Sequence, residues 1–444
     1  MRVAIRRPLS AAAALATLAL GACVGDDQAI LNNPNPANGG VLFQRYVALG
    51  NSITAGYQSG GILAATEDSA YPRLLAIRAS ITNFGQPRLA GTGCPQPFTA
   101  PLTPSTVTGT SCVRIDSTAY TQNLGVPGVR IADAFVTPNN PTVAFQRLYG
   151  LITGGKSEVQ AMIDARPTFV SAWLGNNDAL SAALGGVLGP TAAGADSTLT
   201  RLAAFQASVQ ALETSIKVSG AQGVALVGVV FADSAAPLLQ PGAYFFLSRD
   251  AAGKFNGKPV NDNCSPVTAL GTPNPLSQNL VSFQVLSSAV PEINCDPANA
   301  YGGVYLLDSA ERAVLGARVA AYNAAIKAAA DRNGWVYVNP MDILRPELAR
   351  TTTVAGTARF NQIRKCQALN AALATGSAAA IQGAVLTSCP VPPSGPTATF
   401  AAPNFFGALI SFDGVHPSSA AHVLIARGMA TAINAKYGTQ LITS

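Results

Sequence analysis

The 444-residue sequence is 48% hydrophobic and 11% charged, with a formal net charge of +6. It carries enough apolar material for one large core or two modest ones, and past its amino-terminal stretch no apolar run is long enough to span a membrane. Three of the positive charges are Arg2, Arg6 and Arg7, which leaves +3 for the remainder; with no Lys/Arg cluster there is no footprint for nucleic acid.

Those arginines precede an apolar stretch over residues 9–20 and then Leu20-Gly21-Ala22-Cys23. The pattern reads as an export signal over residues 1–22, too short to cross a bilayer. Its last four residues resemble a bacterial lipobox. That implies a lipidated Cys23, and an exported protein held at the cell envelope, outer membrane or surface, through that anchor alone. Residues 23–40 are rich in Asn, Pro, Gly and Asp without periodicity, so they read as a flexible tether.

From residue 41 onward strand-like and helix-like runs alternate. Residues 46–49 read as a buried strand and 71–78 as a helix start; 130–135 and 157–166 read as further helices, the second leading into a strand over 168–174. Residues 199–218 have helical period, 224–230 form a buried apolar strand, and 309–333 a long helix whose Asp308 and Glu311 fit a capping box and which Gly334 ends. A strand over 335–338 and a serine-capped helix over 418–437 complete the pattern. Such alternation predicts an α/β domain with a parallel sheet covered on both faces.

Seven cysteines are present. Apart from Cys23 they fall as three local pairs, Cys94 with Cys112, Cys264 with Cys295 and Cys366 with Cys389, although six cysteines permit other connectivities. In an exported chain they read as staples, worth about 2–4 kcal/mol each, that hold Pro/Gly/Thr-rich loops rather than chemistry. No Cys-x-x-Cys spacing points to a metal site.

Chemistry is concentrated at the two ends of the domain. After the first strand stops at Gly50, Ser52 sits on a short Gly-flanked turn, which puts a hydroxyl at the carboxyl end of a strand, where ligands of open α/β sheets bind. At the far end Asp413-Gly414-Val415-His416 supplies an acid and an imidazole three positions apart. The protein has two histidines, so the choice of base for a nucleophilic serine is nearly forced. His416 lies in the turn beside Asp413, whereas His422 falls inside the following helix and reads as structural. A third element, Gly175-Asn176-Asn177-Asp178, turns out of a strand and offers a side-chain amide to developing negative charge; the competing reading is a helix cap.

Four short blocks in this order, Gly50-Asn51-Ser52-Ile53, Asn123-Leu124-Gly125-Val126-Pro127-Gly128, Gly175-Asn176-Asn177-Asp178 and Asp413-Gly414-Val415-His416, resemble the SGNH/GDSL hydrolases. The resemblance implies a flavodoxin-like three-layer α/β/α sandwich and a serine esterase or lipase that needs no cofactor or metal. It makes Ser52 the nucleophile, His416 the base and Asp413 its orienting acid. The oxyanion hole falls to the backbone N–H groups of Ser52 and Gly128 and the amide of Asn177. One position departs, Asn51 standing where the family has Asp, which bears on support of the turn rather than on the triad. The family core needs only about half of the chain; the remainder reads as insertion, chiefly residues 232–305 and 345–399.

The expected partner is an ester, of a lipid or of an O-acylated carbohydrate, met by a monomer. Two aromatic-apolar runs, residues 243–247 and 404–410, are candidates for an acyl pocket, or equally for buried strands. The alternative from another class is a surface lipoprotein that binds glycan or a protein partner on a hydrolase scaffold.

Overall fold

In the computed structural model the described residues are 37–102, 112–117, 120–137, 144–188, 198–232, 236–270, 272–299, 301, 303–349 and 406–444, with short pieces between 353 and 380. The leader, Cys23, the Cys366/Cys389 pair and most of the 345–399 insertion lie outside them.

Four parallel strands form the central sheet: β1 (Tyr46–Gly50), β2 (Phe169–Trp173), β3 (Gly223–Val227) and β4 (Val336–Val338), hydrogen-bonded in that order. Tyr46 pairs with Phe169 and Gly50 with Trp173; Phe169 pairs with Gly223, and Ala225 with Val336. The first three strands are buried throughout, as expected of parallel strands with helices on both faces.

Alternation of side chains splits the core into two layers. Val47, Leu49, Val170, Ala172, Val224 and Leu226 pack with residues of α3 (Glu158–Asp164), α5 (Leu202–Ser219) and α6 (Ser309–Asn333). Tyr46, Ala48, Phe169, Trp173, Ala225 and Val227 pack with residues of α2 (Tyr71–Arg78) and α8 (Ser419–Tyr437). The result is the three-layer sandwich. Its longest helices begin and end where their caps dictate. Asp308 Oδ1 accepts from Glu311 N at 2.8 Å while Glu311 Oε2 accepts from Asp308 N at 3.0 Å, and Gly334 closes α6 with φ +66°. Ser418 caps α8, whose buried Ala421, Ile425, Ala426, Met429 and Ile433 recur at helical spacing.

The second block also joins the sheet. Ala48 N donates to Gln122 O at 2.9 Å, Leu124 N to Ala48 O at 2.8 Å and Val126 N to Gly50 O at 2.9 Å, so residues 122–126 run parallel along the free edge of β1. Counting this segment as the second strand, the spatial order is 2-1-3-4-5, the flavodoxin-like order. The chain reverses direction of winding at β1, and the crevice for ligands opens there.

Two expectations are corrected. Residues 130–135 hold only a 3₁₀ turn, Asp133–Phe135; ahead of it Arg130 N donates to Asp133 Oδ2 and Ile131 N to Asp178 Oδ2. Residues 243–247 are neither strand nor pocket wall. They form most of a short helix, Gly242–Leu247, whose Tyr244 and Phe245 are fully buried in a cluster with Phe255 and Phe283. This cluster lies in the 232–305 insertion, which carries the Cys264–Cys295 disulfide and two strands, Leu239–Pro241 and Leu280–Ser282, that form a three-stranded antiparallel sheet with Leu306–Leu307 just beyond it.

Candidate active site

β1 ends in a turn so tight that its glycine is obligatory. A Cβ on Gly50 would lie 1.9 Å from Thr54 Oγ1 and 2.8 Å from Trp173 O. Asn51 then caps the one-turn helix α1 (Ser52–Ala55), its Oδ1 accepting from Ile53 N at 3.1 Å. An aspartate would cap through the same oxygen, which is why Asn51 leaves the turn intact. Its cost is the fully buried Nδ2, which has no partner among the described residues.

Ser52 Oγ lies 2.9 Å from His416 Nε2, and His416 Nδ1 lies 2.9 Å from Asp413 Oδ2. Three residues that the sequence separates by 364 positions thus form one hydrogen-bonded line. Asp413 is held on both oxygens: Oδ1 accepts from Val415 N and His416 N, each at 2.9 Å, and from Ser411 Oγ at 3.2 Å, while Oδ2 also accepts from Gly60 N at 2.7 Å. Burial works against the charge, yet the neighbouring His416, its ring and backbone bonds and the Val415 N–H bring the carboxyl down to about 2. It is therefore an ionised acceptor at any working pH. Tyr57 packs its ring against that of His416, centroids 4.8 Å apart.

His422 is elsewhere. Fully buried, it accepts from Tyr71 N at 3.2 Å through Nδ1, and burial together with the charge of His416 lowers its pKa to about 3. It is a neutral packing residue, as expected.

The second and third blocks are tied together. Gly125 lies against α1, where a Cβ would be 2.7 Å from Ala55 N. Asn123 spans from there, donating to Thr54 O at 2.9 Å. Gly128 adopts φ +83° at the exposed tip of the segment, and Asn177 Nδ2 donates to the next carbonyl, Val129 O, at 2.9 Å. Asp178 accepts from Ile131 N at 2.9 Å, and Asn176 Oδ1 accepts from Val230 N at 3.0 Å. None of the three caps α4 (Asn177–Gly185): its first turn has no side-chain cap bond. Asn177 and Asp178 instead clamp the Gly128 loop, and Asn176 holds the chain leaving β3.

An apolar pocket enclosing about 720 Å³, its open mouth included, begins at Ser52 and His416. Ile53, Trp173, Leu180, Leu344, Ile410 and Ile425 line it. Of the two runs expected to form such a pocket, only the second contributes, through Leu409 and Ile410.

Sequence reasoning missed Gly60, Ser411 and Tyr57, the partners of Asp413 and His416. Ser411 stands two residues before Asp413, a signal that could have been used; Gly60 carries none, since only the tertiary fold brings it near.

The sequence model of the GDSL-like lipase/acylhydrolases matches residues 46–429. Among solved structures, two catalytic mutants of an acetylxylan esterase from Geobacillus stearothermophilus are each 12% identical to this chain. One has a TM-score of 0.35 and covers 90% of this chain and 96% of its own; the other has 0.33, 87% and 93%. No curated protein matches the chain. A match over that span, running from the first residue of β1 into α8, includes both the serine turn and the Asp-His turn, and so the chain belongs to the GDSL-like lipase/acylhydrolase family of carboxylic ester hydrolases.

Proposed function

We propose that the protein hydrolyses esters with an apolar acyl chain by two-step acyl transfer through Ser52. The observation that carries this reading is the unbroken line Ser52–His416–Asp413 at the mouth of an apolar pocket. With Nδ1–H donating to ionised Asp413, the His416 Nε2 lone pair faces the Ser52 hydroxyl and takes its proton as Oγ attacks the ester carbonyl. The oxyanion is met by the N–H groups of Ser52 and Gly128 and by the Asn177 amide, which has a second N–H beyond the one given to Val129. His416 then protonates the leaving alcohol. Water, deprotonated by the same nitrogen, attacks the acyl-enzyme, the acid departs, and Ser52 regains its proton.

A fluorophosphonate should label Ser52 alone, and labelling should vanish in Ser52→Ala; adduct mapped to another serine would reassign the nucleophile. Across a series of p-nitrophenyl esters, kcat/KM should rise about tenfold from acetyl to butyryl, because each methylene buried in the pocket contributes about 0.8 kcal/mol. A preference for acetyl would remove the acyl-pocket reading.

Export and anchoring through Cys23 remain part of the proposal. Radiolabelled fatty acid should be incorporated by the full chain and not by Cys23→Ser; equal incorporation by both would reject the anchor.

A further inference from the structure

The catalytic acid is held from a direction that the four blocks do not include. After α1 the chain makes a two-residue hairpin: Gln58 N donates to Gly61 O at 2.8 Å and Gly61 N to Gln58 O at 3.0 Å. The central pair, Ser59 and Gly60, has φ +54° and +75°, both left-handed, as a tight hairpin of this kind demands. Ser59 pays for that conformation without being glycine, so its neighbours must impose it. They are the acid turn itself, Ser59 N donating to Ser411 Oγ at 2.8 Å and Phe412 N to Ser59 Oγ at 3.1 Å, and one further segment.

That segment is residues 94–102. Cys94 N donates to Ile62 O at 2.8 Å, Ile62 N to Pro95 O at 3.2 Å and Phe98 N to Ser59 O at 2.6 Å; Leu102 N then reaches Phe412 O at 2.8 Å. It lies across the hairpin and the acid turn together. Packing leaves no slack: a Cβ on Gly60 would meet the Phe98 ring at 2.6 Å, and one on Gly61 would meet Pro95 O and Pro97 N at 2.4 Å. The Cys94–Cys112 disulfide closes the segment, with Cys94 buried.

We propose that residues 94–102, closed by the Cys94–Cys112 disulfide, are a positioning strap that fixes the Ser59–Gly60 turn, so that the Gly60 N–H holds Asp413 in line with His416. The proposal rests on the triad reading above. The strap touches neither substrate nor reacting atoms; it acts through Asp413. Its removal lets the acid turn shift, and a displacement of about 1 Å at a triad member is enough to slow the chemical step about 100-fold without weakening substrate binding.

The test uses Gly61→Ala, which pushes against the strap without altering triad or cysteines, together with Phe98→Ala and the double variant Cys94→Ser/Cys112→Ser. Cys264→Ser/Cys295→Ser, which removes the staple of the other insertion, is the reference. Active sites are counted by fluorophosphonate titration, so that kcat is expressed per reactive serine and unfolded protein drops out. The three strap variants should lose about 10- to 100-fold in kcat per titrated site with KM within about threefold, while the reference keeps kcat per site within about twofold. Gly61→Ala and Phe98→Ala at wild-type kcat per site, or losses seen only as fewer titratable sites, would overturn the strap. Ser52→Ala is assayed in parallel: if it stays active the triad reading fails first, whereas an inactive Ser52→Ala beside unchanged strap variants sinks this inference alone.

Discussion

Ser52→Ala should lower kcat by about 10⁶-fold and Asp413→Asn by about 10⁴-fold, both with KM little changed. The serine loss is the loss of the covalent route itself. The aspartate loss follows from what surrounds its carboxyl. Oδ2 accepts from both the His416 ring and Gly60 N, while Oδ1 takes Val415 N, His416 N and Ser411 Oγ. An asparagine must place an NH₂ on one of these sides. With its oxygen kept on the crowded Oδ1 side, the amide faces two donors, and the ring relieves the clash by presenting an unprotonated Nδ1. The proton then sits on Nε2, which can no longer accept from Ser52. Initial rates over a substrate series, with circular dichroism to verify folding, decide the matter; a folded Asp413→Asn protein within tenfold of wild type would remove the triad.

The parts of this site that are local in sequence could be read from it. Ser52 follows a strand-ending glycine, Asp413 and His416 stand three apart, and Asp308 with Glu311 or Ser418 announce their helices, because each of these arrangements is fixed by bonds spanning four residues or fewer. What escaped is long-range. Residues 122–126 pair along β1 yet begin Gln-Asn and end near Pro127, a composition that does not read as a strand; the edge of β1 supplies the partner that propensity does not. Residues 130–135 have helical composition, but they form only a turn and a 3₁₀ piece, and Asp178, over forty positions away, takes the Ile131 N–H and ties this stretch to the start of α4. The apolar run at 243–247 was legible as buried but not as to which core it fills, since its partners Phe255 and Phe283 belong to its own insertion. Gly60 and the strap are the extreme case: nothing in residues 94–102 refers to a carboxylate some three hundred positions later.

Asn177→Ala should lower kcat by about 10²–10³, roughly 2.7–4 kcal/mol, while Asn176→Ala should cost less than about tenfold. The two amides are neighbours with different tasks. Asn176 Oδ1 accepts from Val230 N at 3.0 Å, a bond that secures the chain leaving β3 and does not change as the substrate reacts. Its loss falls on folding, at about 1 kcal/mol, and lowers the melting temperature of Asn176→Ala by a few degrees. Asn177 gives one N–H to Val129 O at 2.9 Å, which fixes the plane of its amide, and the second is free for an oxyanion that exists only during reaction. Truncation removes that donor and also unties Val129 from α4, so Gly128 beside it loses its fixed position, and two of the three proposed donors are affected by one substitution. Because a ground-state carbonyl gains little from these donors, KM should move less than threefold. Measuring kcat, KM and melting temperature for both variants separates the roles: an Asn177→Ala protein that melts earlier but turns over at the wild-type rate would confine this side chain to holding the loop, and the oxyanion would then rest on backbone N–H groups alone.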